Sequence, residues 1–280
     1  MRTRLLLVLL IAAGLSARGV VKTDSVKSEI LGEWVKYNVY CPDGFDCHGD
    51  NRYPVLYLLH GLSDVYSSWN DNAQLGEVAD ELLAQGKIKP MVIVMPNAGG
   101  PDTRNTWNGY FNMPGWNYED FFFSELIPAV EEKYHAGTTK ELRAVSGLSM
   151  GGGGSTVYCL KHPDMFSSCY AMSAWLDSSR SLQEAADNKL HYVIDAVSEN
   201  AAVNIVEKAD EDQLEKLKGV GWFFDVGDND FLLDQTERLH LLMRSKGIKA
   251  RLRVREGQHN WHFWKAALYE SLPFASRNFK

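Results

Sequence analysis

The chain has 280 residues, 45% of them apolar and 23% charged, a balance that supports one sizeable hydrophobic core and excludes a disordered or fibrous chain. Its formal net charge is -7, and no stretch concentrates Lys or Arg into a basic arm, which argues against nucleic acid and anionic lipid surfaces as partners.

Met1, Arg2, Thr3 and Arg4 precede an apolar run from Leu5 to Leu15, which ends in the small residues Ser16 and Ala17. A positive flank, an apolar centre too short to cross a bilayer and a small-residue end predict a signal peptide over residues 1–17; a retained anchor is the alternative. No Cys follows the run, so lipid anchoring is not expected. The mature protein, residues 18–280, is then secreted or periplasmic and free of the membrane. In that oxidising setting Cys41, Cys47, Cys159 and Cys169 allow up to two disulfides. Cys41 and Cys47 bracket the turn-rich Pro42–Asp46, which favours a local bridge. Cys159 and Cys169 fall in apolar elements, where buried free thiols are the alternative.

From about Glu33 onward, short apolar runs alternate with helical patterns, predicting a single α/β domain with a mostly parallel sheet and helices on both faces. Buried strands are expected at Val55–Leu59, Met91–Met95, Arg143–Ser146, Cys169–Met172, Trp222–Val226 and Ala250–Arg255. Helices are expected at Ala73–Ala84, Tyr118–Lys133, Gly153–Lys161, Leu232–Lys246 and Asn260–Glu270. The polar interval Leu176–Val220 is too long for one crossover and reads as a cap inserted over the carboxyl ends of the strands, where substrates bind. A solvated helical connection without a binding role is the alternative.

The segment Gly147-Leu148-Ser149-Met150-Gly151 runs from an apolar strand into a helix and has the G-x-S-x-G form of a nucleophile elbow. A serine on so sharp a turn has strained backbone angles and needs small residues two positions away on each side. The helix behind Ser149 directs free N–H groups and a partial positive charge toward an oxyanion formed there.

Serine is a weak nucleophile until a base takes its proton, and that base must be oriented by a carboxylate. In chain order the acid follows a late strand and the histidine the last one. His259 is therefore the expected base. His262 lies three residues on, already in a helical turn, and His162, His191 and His240 sit at or in helices. Asp225 would point within its strand, whereas Asp228 and Asp230 both lie in the following loop. For an oxyanion the expected donors are the N–H groups of Met150 and of Leu62, which follows His60-Gly61 at the end of a strand; His60 reads as an organiser of that loop. Neither the aspartate cluster at 225–234 nor His259-x-x-His262 matches a calcium or zinc pattern, and no nucleotide-binding loop is present, so neither a metal nor a cofactor is expected.

These residues resemble the esterase D-like branch of the α/β-hydrolases, which includes feruloyl and acetylxylan esterases, tributyrin esterases, S-formylglutathione hydrolases and mycobacterial mycolyltransferases. The likeness spans about Trp34 to Phe274. It rests on Tyr57-Leu58-Leu59-His60-Gly61 with Trp69 downstream, Pro96-Asn97, Tyr118-Glu119-Asp120 with Glu125-Leu126-Ile127-Pro128, the elbow with Gly152, Gly227-Asp228-Asn229-Asp230-Phe231-Leu232, and Gly257-Gln258-His259-Asn260-Trp261-His262-Phe263-Trp264. The family's Gly-x-x-Asp acid loop selects Asp230 over Asp228. The resemblance implies the α/β-hydrolase fold and a serine carboxylesterase working through an acyl-enzyme. Export then favours feruloyl or acetyl esters on plant polysaccharide over a cytosolic thiol ester. Trp69, Trp107, Trp116, Trp175 and Trp261 fall where they could line a cleft for a sugar or aryl ring. The rival expectations are an acyltransferase with the same triad and a non-catalytic carbohydrate-binding protein of this fold.

Overall fold

The computed structural model describes residues 18–99, 109–178 and 191–280; the predicted signal peptide and Trp107 lie outside the described residues. The strands in chain order are β1 (Val20–Lys27), β2 (Trp34–Cys41), β3 (Val55–Leu59), β4 (Val92–Pro96), the short pair β5 (Asn112–Met113) and β6 (Trp116–Asn117), β7 (Arg143–Leu148), β8 (Ser168–Met172), β9 (Gly221–Gly227) and β10 (Ala250–Arg255). Eight of them form one sheet in the order β1-β2-β4-β3-β7-β8-β9-β10. From β4 to β10 neighbouring strands pair in parallel.

Parallel strands need crossovers, and the crossover helices cover both faces of the sheet. Every residue of β3 is consequently buried. Val55, Tyr57 and Leu59 point into one core, with the helix Met150–Lys161. Leu56 and Leu58 point into the other, with helices Leu75–Ala84 and Trp261–Asn278. This is the mostly parallel α/β architecture read from the sequence, and the expected strands appear within two residues of their expected ends; Ala250–Arg255, expected to be buried, instead closes one edge of the sheet with no buried residue.

Two strands escape the alternating pattern. β1 and β2 pair antiparallel with each other, and β2 pairs antiparallel with β4, which adds a hairpin to the sheet edge. β1 is polar and mostly solvent-facing, and Lys36 and Asn38 interrupt the apolar run of β2. Among the helices, the run expected at Ala73–Ala84 is two pieces, Ser68–Ala73 and Leu75–Ala84, divided at Gln74 with φ 51. The last helix runs past Pro273 to Asn278. All four cysteines are free thiols, so the expected local bridge between Cys41 and Cys47 is absent: the Cys41 side chain closes the end of β2 against the core, while Cys47 lies half-exposed in the loop beyond. Burial pushes the Cys41 and Cys159 thiols up, as expected of inert structural cysteines.

The first residue of β7 anchors the strand that carries Ser149. Arg143 Nη2 donates to Glu131 Oε2 at 2.9 Å, Arg143 Nε donates to Glu131 Oε1, and the Thr138 N–H donates to the same carboxylate at 2.8 Å. Both partners are buried. Removing one would strand a buried charge, so Glu131→Ala should lower the unfolding free energy by about 3–5 kcal/mol. Lys218→Ala, which breaks the exposed pair with Glu215, should change it by less than about 1 kcal/mol. Urea unfolding of the two variants checks this; equal losses would contradict it.

Candidate active site

β7 passes directly into the helix Met150–Lys161, and the residue at the junction, Ser149, has φ 54 and ψ -118. A serine in that region is strained by on the order of 1–3 kcal/mol, which must be offset by close packing around it. Cβ atoms at Gly147 and Gly151 would lie 2.3 Å from Gly151 O and 2.5 Å from His60 O, so only glycine lets the turn close. The Ser149 N–H donates to Met172 O at 2.8 Å, and Ser149 O accepts from the N–H groups of Gly153 and Trp175, each at 3.0 Å. The next glycines have their own reason: a Cβ at Gly153 would lie 2.1 Å from Trp175 O, so the helix can rest against the segment after β8.

β9 and β10 are parallel neighbours with Gly227 opposite Arg255, which sets the loops at their carboxyl ends side by side. The two loop aspartates divide the work there. Asp228 donates its N–H to Arg255 O at 2.9 Å and accepts the Gly257 N–H at 3.0 Å, tying one loop to the other. Asp230 receives His259 Nδ1 at 2.9 and 3.1 Å on its two oxygens and the Leu232 N–H at 2.9 Å. His259 Nε2 in turn lies 2.9 Å from Ser149 Oγ. The chemistry of the partners assigns the proton to Nδ1, facing the carboxylate, and leaves Nε2 to accept from the serine. Burial pushes the Asp230 carboxyl up, but hydrogen bonds from His259, Ser173 and Leu232 outweigh it and hold the group below the usual aspartate range. His262 is exposed in the first turn of the last helix, and Asp225 lies within β9, paired with Arg253 and Arg255.

Above Ser149 and His259 opens a cavity of about 360 Å³, within the range of small-molecule sites. Its walls are mainly apolar: Leu62, Leu148, Trp175, Phe231, Trp261 and Trp264. Trp175 and Trp261, read from the sequence as cleft residues, are thus at the cavity. Trp69 is not: it is buried in the core, donates Nε1 to Leu59 O at 3.1 Å and backs the Trp261 ring at 5.2 Å. Trp116 donates its Nε1 to Ala98 O. Several lining residues were not singled out beforehand, Ser63, Asp64, Phe231 and Trp264 among them. Phe231 is 75% exposed, with its ring 4.5 Å from that of His259. Trp264 stands edge-on to His259 at 4.9 Å. Asp64 accepts the Gly61 N–H at 3.1 Å. Phe231 and Trp264 lie within motifs already read, and an aromatic residue one position past an acid, or two past a loop end, was the available signal; Asp64 gave none.

Of the interval 176–220, the described part holds the helices His191–Glu199, Ala202–Lys208 and Glu211–Lys218. No residue of 191–220 lines the cavity, and Ala202–Lys208 packs against helices Met150–Lys161 and Leu233–Ser245, on the face of the sheet. Among the described residues no group of three or more His, Cys, Asp or Glu is placed to hold a metal ion, and no helix is long and apolar enough to cross a membrane.

A family model described as “Putative esterase” matches residues 28–275. The chain belongs to this family of carboxylic ester hydrolases. A solved ferulic acid esterase is 42% identical, with a TM-score of 0.87 over 94% of this chain and 99% of that one. An endo-1,4-beta-xylanase/feruloyl esterase of Xylanibacter ruminicola is 37% identical over 151 residues, 53% of this chain and 20% of that protein. A diacylglycerol acyltransferase/mycolyltransferase of Mycobacterium leprae is 29% identical over 164 residues, 56% of this chain and 45% of that protein. The chain thus spans less than half the length of these two curated relatives.

In this esterase the loop before Leu62 is organised by His60, buried at 2% exposure. Its Nδ1 donates to Gly61 O at 2.7 Å and its Nε2 accepts the Ala98 N–H at 3.0 Å, the role read for it from the sequence. Burial holds the imidazole neutral, down to about 4. In the unfolded chain a histidine takes its proton near 6.5, so the folding stability tied to His60 is whole above that pH and is lost as pH falls from 6.5 toward 4. Between pH 7 and 4.5 the wild type should lose about 2 kcal/mol more than His60→Gln. Urea unfolding at the two pH values measures this, and identical losses would contradict it.

Proposed function

We propose that the protein is an exported serine carboxylesterase that cleaves feruloyl or acetyl esters of plant polysaccharide through an acyl-enzyme. The observation that carries the reading is the continuous relay from Asp230 through His259 to Ser149, with 2.9 Å at each link, at the floor of an apolar cavity. Ser149 Oγ attacks the ester carbonyl carbon as His259 Nε2 takes its proton, and Asp230 stabilises the imidazolium that forms. The negative charge that develops on the carbonyl oxygen is met by the N–H groups of Met150, at the start of the helix, and Leu62, on the cavity wall. Collapse breaks the bond to the alkoxy oxygen, His259 returns its proton to that oxygen, and the alcohol leaves Ser149 acylated. Water, deprotonated by the same imidazole, then attacks the acyl carbon and releases the acid.

The walls favour the feruloyl alternative. Trp175, Phe231 and Trp261 offer flat apolar surface to an aryl acyl group, where an acetyl group would leave most of it wet. The similarity to the ferulic acid esterase supports the same choice. The apolar run at residues 5–15 supports export. We take residues 18–280 as one catalytic domain, with Trp175 on the wall of the site. The mycolyltransferase relative raises transfer to a sugar hydroxyl in place of water as the second reading, and an intact relay speaks against a purely carbohydrate-binding role.

Turnover of methyl ferulate and p-nitrophenyl acetate, with and without an added sugar acceptor, tests the proposal. Release of ferulate should exceed that of acetate in kcat/KM. Ser149→Ala should fall to background, Asp230→Asn should lose about 10³–10⁴ in kcat, and Asp228→Asn, which keeps an oxygen for the Gly257 N–H and removes only a charge that does not meet His259, should lose less than about tenfold. Full activity in Ser149→Ala, or a larger loss at Asp228 than at Asp230, would sink the mechanism. Acyl-sugar as the main product would establish the transferase.

A further inference from the structure

Ser173 directly follows β8, is fully buried and has φ 46. Glycine is free of strain in that conformation and serine is not, so the position gains from a hydroxyl. The Ser173 N–H donates to Asp225 O at 2.8 Å, which fixes the backbone beneath the acid loop. Trp264 Nε1 donates to Ser173 Oγ at 3.2 Å, which leaves the hydroxyl hydrogen free, and the Ser173 hydroxyl is among the groups that hold the Asp230 carboxyl below the usual aspartate range. The same Trp264 ring stands perpendicular to the His259 ring, at 89° and 4.9 Å between centroids. One buried hydrogen-bonded pair therefore touches both the acid and the base.

We propose that Ser173 and Trp264 form a strut that positions Asp230 and His259 against each other, extending the relay to Trp264–Ser173–Asp230–His259–Ser149. The inference rests on the esterase reading above. Ser173 is a positioning residue, buried away from the reacting atoms, and Trp264 acts on the pair through Ser173 and through its ring contact with His259 from the cavity wall. Without Ser173 the carboxylate keeps only His259 and the Leu232 N–H as partners, and its plane is free to rotate away from Nδ1. The charges around the pair are few: Asp230 and Asp64 act on His259, Asp228 is engaged by Gly257, and Arg253 and Arg255 are held by Asp225. Without the hydroxyl the Asp230 carboxylate has one donor fewer, so more of its charge falls on His259 Nδ1.

Ser173→Gly tests the strut because it removes the hydroxyl and the backbone strain together. With p-nitrophenyl acetate, kcat should fall roughly tenfold with KM little changed, and the acidic limb of the kcat/KM profile should move to higher pH. Trp264→Phe, which keeps a ring beside His259 but loses the donor, should shift the limb in the same direction, and it should add nothing in the Ser173→Gly background. A wild-type kcat and acidic limb in Ser173→Gly, or effects that simply multiply in the double variant, would overturn the strut while leaving the esterase reading intact. If Ser173→Gly does not fold, the acidic limb of Trp264→Phe decides alone. No turnover by the wild type would overturn the esterase reading and the strut with it.

Discussion

The backbone of Ser149, bent to φ 54 and ψ -118 between a buried strand and the helix behind it, is the constraint around which the site is built. That bend lifts the hydroxyl above the sheet and turns the first N–H groups of the helix toward it. It survives because neighbours crowd it from three sides: His60 O against Gly151, Met172 O on the Ser149 N–H, and the Trp175 N–H on its carbonyl. Those neighbours come from two places at the carboxyl end of the sheet, the loop after β3 and the end of β8 with the segment that follows it. The strained turn at one serine is thus held by the segments that carry Leu62, Ser173 and Trp175.

Parallel register supplies the rest of the geometry. Because β9 and β10 end level, with Gly227 beside Gly257 closely enough that a Cβ would meet Gly257 O at 2.4 Å, an acid and a histidine 29 residues apart come within hydrogen-bonding distance. Electrostatics then favours an ionised acid in a dry place. Asp230 is 5% exposed, yet it is surrounded by donors and remains a carboxylate. The deeper carboxylate, Asp225, is fully buried and takes Arg253 and Arg255, so neither arginine competes with His259 for Asp230. The two charges are kept apart by the pleat of one strand and the loop that follows it.

Much of this was legible in the sequence, for definable reasons. Buried parallel strands read as apolar runs, so β3, β4 and β7 to β9 stood out; β10 was read as well, although it lies at a sheet edge with no buried residue and alternates with arginines, whereas β1 lies half-wetted at the other edge and β2 is broken by Lys36 and Asn38. The elbow was legible because steric crowding permits only glycine at 147 and 151. Asp228 and Asp230 could not be separated by spacing, since both loop positions are occupied by useful carboxylates, and only their hydrogen bonds distinguish a loop tie from a histidine partner. Trp69 read as a cleft residue but packs behind one, because a sequence gives the loop and not the direction of the ring. Ser173 carried no signal at all: its importance comes from a positive φ and two long-range partners, neither of which leaves a local pattern.

The account stands or falls on whether Ser149 is an activated nucleophile. A fluorophosphonate probe incubated with the mature protein, followed by intact-mass measurement and peptide mapping, asks this without assuming any ester. The account predicts one adduct per chain, on Ser149, formed at least about a thousandfold more slowly in His259→Ala. No adduct, an adduct on another serine, or equal labelling rates with and without His259 would contradict it.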